Sequence, residues 1–235
     1  MKTYHLTCML LIILMSIAAC TRKTNNNSDD SNKSDSEVKI HSMPKDAVEQ
    51  GKNDLIVAAR QLDLSLGFDV ERLNKAQSTT PLKHHTIDIE KLLKVNTFQN
   101  FSDLSIKTPN DQNYLVPLTD PKGIITTIDI NQVKEGWKLT GMSNQGLSNE
   151  LNELQAVMNN ENTGKLSVFY VPNLNTRVYE VQQRNGGMAY YTNYKSDRFN
   201  RQGYTAKELL KVLKADATRF DKKYRDLLKK NQLLE

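Results

Sequence analysis

Residues 114–142 read YLVPLTDPKGIITTIDINQVKEGWKLTGM, and this stretch decides the fold class. Three apolar, β-branched runs, Tyr114–Leu118, Gly123–Ile130 and Gly136–Met142, are separated by Asp120-Pro121-Lys122-Gly123 and Lys134-Glu135-Gly136. Both spacers carry turn chemistry, because Pro presets one backbone angle and Gly accepts positive φ. The pattern predicts a three-stranded antiparallel meander. Within its middle strand Ile124, Thr126, Ile128 and Ile130 recur with period two, so they are expected on one buried face.

Downstream, Leu147, Leu151, Leu154 and Val157/Met158 recur at helical spacing, with Ser148 near the start. A second meander follows in Leu166–Val171, Arg177–Gln183 and Met188–Tyr194, its second hairpin closed by Arg184-Asn185-Gly186-Gly187. The chain then reads as a long helix from Thr205 to about Leu228, with Leu209/Leu210, Leu213, Ala217, Phe220, Tyr224 and Leu227 as its apolar stripe. Its other face carries Lys211, Lys214, Lys222, Lys223, Lys229 and Lys230. Interleaved Glu208, Asp216, Asp221 and Asp226 dilute that charge, which makes the face read as solvated.

Upstream, Pro44 suits a first helical turn with Ser42 before it, and an irregular stripe runs to about Leu66, where Gly67 looks like the stop. Gly51 weakens that helix. A short helix is expected over Asp69–Ala76, a strand over Thr86–Ile89, and a brief helical turn from Ile89 to Val95. Strand clusters alternating with helices indicate an α+β class: antiparallel meanders with flanking helices and a long C-terminal helix. A cystatin-like arrangement, a helix wrapped by a curved sheet, fits this order. Residues 44–235 are expected to be one domain, readable as two helix-plus-meander units, 44–142 and 147–235, without a visible sequence repeat.

The first 43 residues are of another kind. Lys2 precedes a 14-residue apolar stretch, Leu6 to Ala19, which ends in Ser16-Ile17-Ala18-Ala19-Cys20. As a helix it spans about 21 Å, short of a bilayer core of about 30 Å, so it reads as a signal-peptide core. The end resembles the lipobox of bacterial lipoproteins, with Ile17 where that family most often has Leu. The resemblance covers only about the first 20 residues. It implies cleavage after residue 19, diacylglycerol and palmitate-type acylation on Cys20, and a lipid-anchored protein of the cell envelope. Residues 20–43 form the lipidated cysteine and a polar Asn/Ser/Asp/Lys tether expected to be disordered. Thr21 follows the cysteine, where some Gram-negative hosts place Asp to retain a lipoprotein in the inner membrane. Its presence points to the outer membrane in a host that has one.

Composition bounds the chemistry. The chain has 235 residues and a formal net charge of +5, falling to about +4 without the leader, too mild and dispersed for a nucleic-acid partner. Cys8 and Cys20 are its only cysteines, so the expected domain has no disulfide, thiol nucleophile or cysteine metal ligand. No nucleotide-binding glycine loop is present, and Gly141-Met142-Ser143-Asn144-Gln145-Gly146 has the wrong spacing for a nucleophile elbow. His41, His84 and His85 are the histidines beyond the leader; adjacent His84 and His85 should face opposite sides of a strand and so not share a metal. Asp129, Glu150, Glu153 and Glu180 could supply paired carboxylates, but sequence selects no two of them. No metal, cofactor or catalytic residue is expected. The most suggestive surface is Tyr179, Tyr190, Tyr191, Tyr194, Arg198, Arg201 and Tyr204, an aromatic–polar mixture suited to protein or glycan contact. The reading is therefore a non-enzymatic envelope binding module for a protein or surface polymer. A carboxylate-based envelope hydrolase and a cystatin-like peptidase inhibitor are the alternatives.

Overall fold

The computed structural model describes residues 39–61, 69–97, 100–107, 112–143, 145–161, 164–195 and 203–232. Cys20, the leader, the tether up to residue 38, Gly67, Arg198 and Arg201 lie outside them. Its first elements are β1 (Ile40–His41), α1 (Pro44–Gln61), α2 (Val70–Lys75), β2 (Gln77–Ser78), β3 (Leu82–Thr86) and α3 (Ile89–Lys94). A 3-10 turn (Phe101–Leu104) leads into the meander β4 (Gln112–Asp120), β5 (Gly123–Val133) and β6 (Gly136–Met142). Then come α4 (Gln145–Glu161), β7 (Leu166–Val171), β8 (Thr176–Gln182), β9 (Met188–Tyr191) and α5 (Ala206–Gln232). The class is α+β.

Both meanders form as the spacing requires, β4–β5–β6 and β7–β8–β9, each antiparallel. The two are not separate units. β3 pairs antiparallel with β4 and parallel with β7, joining them into one sheet of order β1-β6-β5-β4-β3-β7-β8-β9, with β2 also on β4. Val38–Glu235 accordingly form one compact unit.

Helices cover both faces. Lys83 pairs Tyr114 and His85 pairs Phe169, so the α1 side of β4–β6 and the α3/α5 side of β7–β9 are one face. On that face α1 and α2 bury Val48, Leu55, Ile56 and Leu73 against Val116, Ile128 and Ile130. There α3, the 3-10 turn and α5 bury Leu92, Phe101, Leu209 and Leu213 against Phe169, Val178 and Tyr190. The opposite face takes α4, whose Leu147, Leu151, Leu154 and Val157 pack on Leu115, Val168, Tyr179 and Tyr191.

Three local readings change. The strand expected at Thr86–Ile89 lies earlier, at Leu82–Thr86, because Asp88 leaves the ladder to cap α3. Its carboxylate accepts the Glu90 and Lys91 amides at 2.9 and 3.3 Å. In β5 the pairing jumps from Thr119–Ile124 to Leu118–Thr126, so Ile125 is an extra residue. Ile124 therefore packs with the α4 cluster while Ile125, Ile128 and Ile130 pack with α1, and the expected single face is broken. Gly51 is not a weak point. A Cβ there would stand 2.7 Å from Leu139 Cδ1 and 3.0 Å from Ile128 Cγ2, so glycine lets α1 lie directly on the sheet.

Candidate functional site

The tyrosine patch does not form as drawn. Tyr179, Tyr190 and Tyr191 are 0%, 1% and 0% exposed, which removes them from any contact surface. The cause is tertiary: a sheet with helices on both faces buries rings of either parity. Tyr190 lies 5.1 Å from the Phe101 ring, and Tyr191 sits under α4. Tyr194 is half-buried and donates to Asp216 Oδ2 at 3.0 Å, and Tyr204 is half-buried and pairs its backbone with Tyr190.

A more coherent site lies at the end of β3. β4 reaches β3 only as far as the His84–Asn113 pair. Beyond it the Ile106 amide donates to Thr86 O at 2.8 Å and Ile87 bridges Ser105, so the sheet opens between the two partners. A cleft of about 520 Å³ occupies this opening, and Lys83, His84, His85, Ser102, Asp103 and Asn113 are among the residues that line it. His84 and His85 do leave the strand on opposite faces, yet both reach the cleft because the β3–β4 ladder ends there.

Burial disfavours the charged form of both imidazoles. Burial pushes His84 down to about 4, with the charges of Arg177 and His85 adding to the shift. His85 is lowered by burial and then by Lys83, and its ring stacks on Phe169 with centroids 4.9 Å apart. His84 Nε2 is buried without a hydrogen-bond partner. Beside it Asn113 Oδ1 accepts from Asn131 Nδ2 at 2.9 Å, leaving Asn131 Oδ1 buried and unpartnered. Buried polar atoms left in this state are costly in a purely structural role.

The α4 side adds charge. Arg177 Nη1 lies 3.8 Å from Glu150 Oε1, which also accepts from Asn193 Nδ2 at 3.1 Å. The Tyr179 hydroxyl donates to Glu150 Oε2 at 2.5 Å. Asp129 is raised by burial, opposed by the Ser143 hydroxyl at 2.9 Å and by Arg177. Of the four carboxylates singled out in the sequence, then, Asp129 and Glu150 both face Arg177. Glu180 lies on the other face, where burial raises it and it accepts the Phe101 amide at 3.2 Å. Glu153 is exposed on α4. Glu150 has both oxygens engaged by protein donors, which leaves it poorly placed as a nucleophile or base.

Among the described residues, no group of three or more His, Cys, Asp or Glu side chains is placed to hold a metal ion. Nor, among them, is any helix long and apolar enough to cross a membrane. Sequence reasoning missed Asn113, Asp103 and Arg177. The available signal was weak, because Asn113 and Asn131 stand beside other polar residues near strand ends. No family model, curated protein or solved structure matches the chain.

Proposed function

We propose that this chain is a lipid-anchored envelope lipoprotein whose folded domain is a non-enzymatic binding module. The ligand site is the cleft at the end of β3, and its ligand is a hydroxyl- and amide-bearing segment of a surface polymer. One observation carries the site: a cleft of about 520 Å³ in which His84, His85, Ser102, Ser105, Gln112 and Asn113 supply neutral donors and acceptors between Lys83, Lys107 and Asp103, with His84 Nε2 unpartnered beside it. Neutral imidazole, amide and hydroxyl groups bind ligand hydroxyls and amides directionally. The anchor rests on the lipobox-like Ser16–Cys20 and the polar stretch after it. The saturated hydrogen bonding of Glu150 weighs against the paired-carboxylate hydrolase, and helices on both faces weigh against a cystatin-like inhibitor.

The test has two parts. In cells fed an alkyne fatty acid, the wild-type chain should be labelled and processed, and Cys20→Ser should be neither; a labelled mutant ends the anchor proposal. In titrations with envelope polysaccharide, the His84→Ala/Asn113→Ala pair should bind at least about tenfold more weakly, the loss expected from two or three hydrogen bonds. Equal binding by the pair would exclude the cleft.

A further inference from the structure

The cations of α5 are not spread evenly around it. At about 100° per residue, Lys207, Lys211, Lys214, Lys222 and Arg225, with the neutral Thr218 among them, fall in one sector about 80° wide, while Arg219 and Lys223 lie outside it. Glu208 and Asp216 lie outside it by about 40° or more on the same count. Asp221 borders the sector and is ion-paired with Arg225. Leu209, Leu213 and Ala217 are buried on the far side, while Lys207, Lys211 and Lys222 are exposed. The acids that dilute this helix in the linear sequence thus leave a continuous basic stripe in space.

A pocket of about 440 Å³ adjoins the first half of the stripe, lined by Val95, Ala206 and Leu210 as well as Lys207, Lys211 and Lys214. Lys214 Nζ is tied to Val95 O and Asn96 Oδ1, which fixes one wall of the pocket. Cations along an apolar recess match an anionic amphiphile better than a uniformly charged polymer.

We infer that the α5 stripe and its pocket dock on the anionic phospholipid surface to which the chain is anchored. The inference rests on the anchor reading for the nearness of that surface. Docking would hold the domain in a fixed orientation instead of leaving it at the end of its tether. Each lysine at such a surface adds attraction that salt screens.

The experiment is vesicle co-sedimentation of the full chain carrying Cys20→Ser, with phosphatidylcholine vesicles that contain or lack phosphatidylglycerol. The leader is common to every chain compared, so its own membrane affinity cancels in the ratio. The parent should prefer the anionic vesicles by at least about tenfold at low salt and lose that preference as salt rises. Lys207→Glu/Lys211→Glu/Lys222→Glu should abolish the preference with an unchanged thermal midpoint, and the corresponding triple Gln variant should reduce it. Equal partition on both vesicles, a triple Glu variant that behaves as its parent, or duplex DNA bound as tightly as the vesicles would each overturn the assignment. Failure of acylation at Cys20 with stripe-dependent partition intact would sink the anchor reading alone, and labelled Cys20 without stripe dependence would sink the stripe alone.

Discussion

His84 couples the cleft to pH. Its folded pKa of about 4 lies below the ordinary value near 6.5, so the folded state resists taking up a proton. Above about pH 6.5 the imidazole is neutral in both states and its contribution to stability is whole. As pH falls from there toward 4, the unfolded chain binds the proton first and stability declines, by up to about 3 kcal/mol. Asp129 and Glu180 act in the opposite sense. Their folded values are raised, so acid relieves the cost of keeping them charged. The His84 share is therefore read as a difference: in urea unfolding, wild type should lose stability relative to His84→Gln as pH falls from about 7 toward 4, and a pH-independent difference would refute the linkage. An NMR titration should show the His84 ring neutral until near pH 4, and a midpoint near 6.5 would place it in open solvent. None of this was visible in the pair His84-His85 as letters. The shift comes from burial and from Arg177, 93 positions away in the chain.

Turns and helix ends were the most legible elements, because their chemistry is local. Gly136 and Gly186 both closed strands on paper, and both have positive φ, +145° and +82°. Their surroundings differ. A Cβ on Gly136 would meet the His41 carbonyl oxygen at 2.3 Å, whereas nothing lies within 4 Å of one on Gly186. Gly136→Ala should cost about 3 kcal/mol or more, since backbone strain adds to a collision with β1 that no side-chain rotation relieves. Gly186→Ala carries the strain alone and should cost about 1 kcal/mol. Denaturant midpoints of the two variants check this, and equal losses would mean that β1 does not press on the β5–β6 turn. The same local logic explains the misplacement of β3. Asp88 is as good a helix cap as it is a strand residue, and only the amides of Glu90 and Lys91 decided between them.

At the scale of the whole molecule, β3 is the joint between the meanders. It is five residues long, yet it carries the antiparallel ladder to β4 and the parallel one to β7. The domain should therefore unfold in one transition. Trp137, the sole tryptophan, packs on Tyr114 in the first half of the sheet, and Tyr179, Tyr190 and Tyr191 are buried in the second. Tryptophan fluorescence and near-ultraviolet tyrosine dichroism should give coincident midpoints. Two separate midpoints would restore the picture of independent units.

The sequence by itself determined what depends on neighbours along the chain: apolar periodicity, turn residues, the α+β class and the lipobox-like end at Cys20. Both meanders, α2, α4 and α5 were written there, since hydrophobic period and backbone chemistry act within a few residues. Tertiary structure alone decided which surfaces survive. The parallel β3–β7 pairing joins residues about 80 positions apart, helices packed on both faces of the resulting sheet buried the tyrosines expected outside, and the end of the β3–β4 ladder opened the cleft beside His84. Burial, charge proximity and an opening in a sheet are properties of packing between distant segments, and no spacing within one segment encodes them.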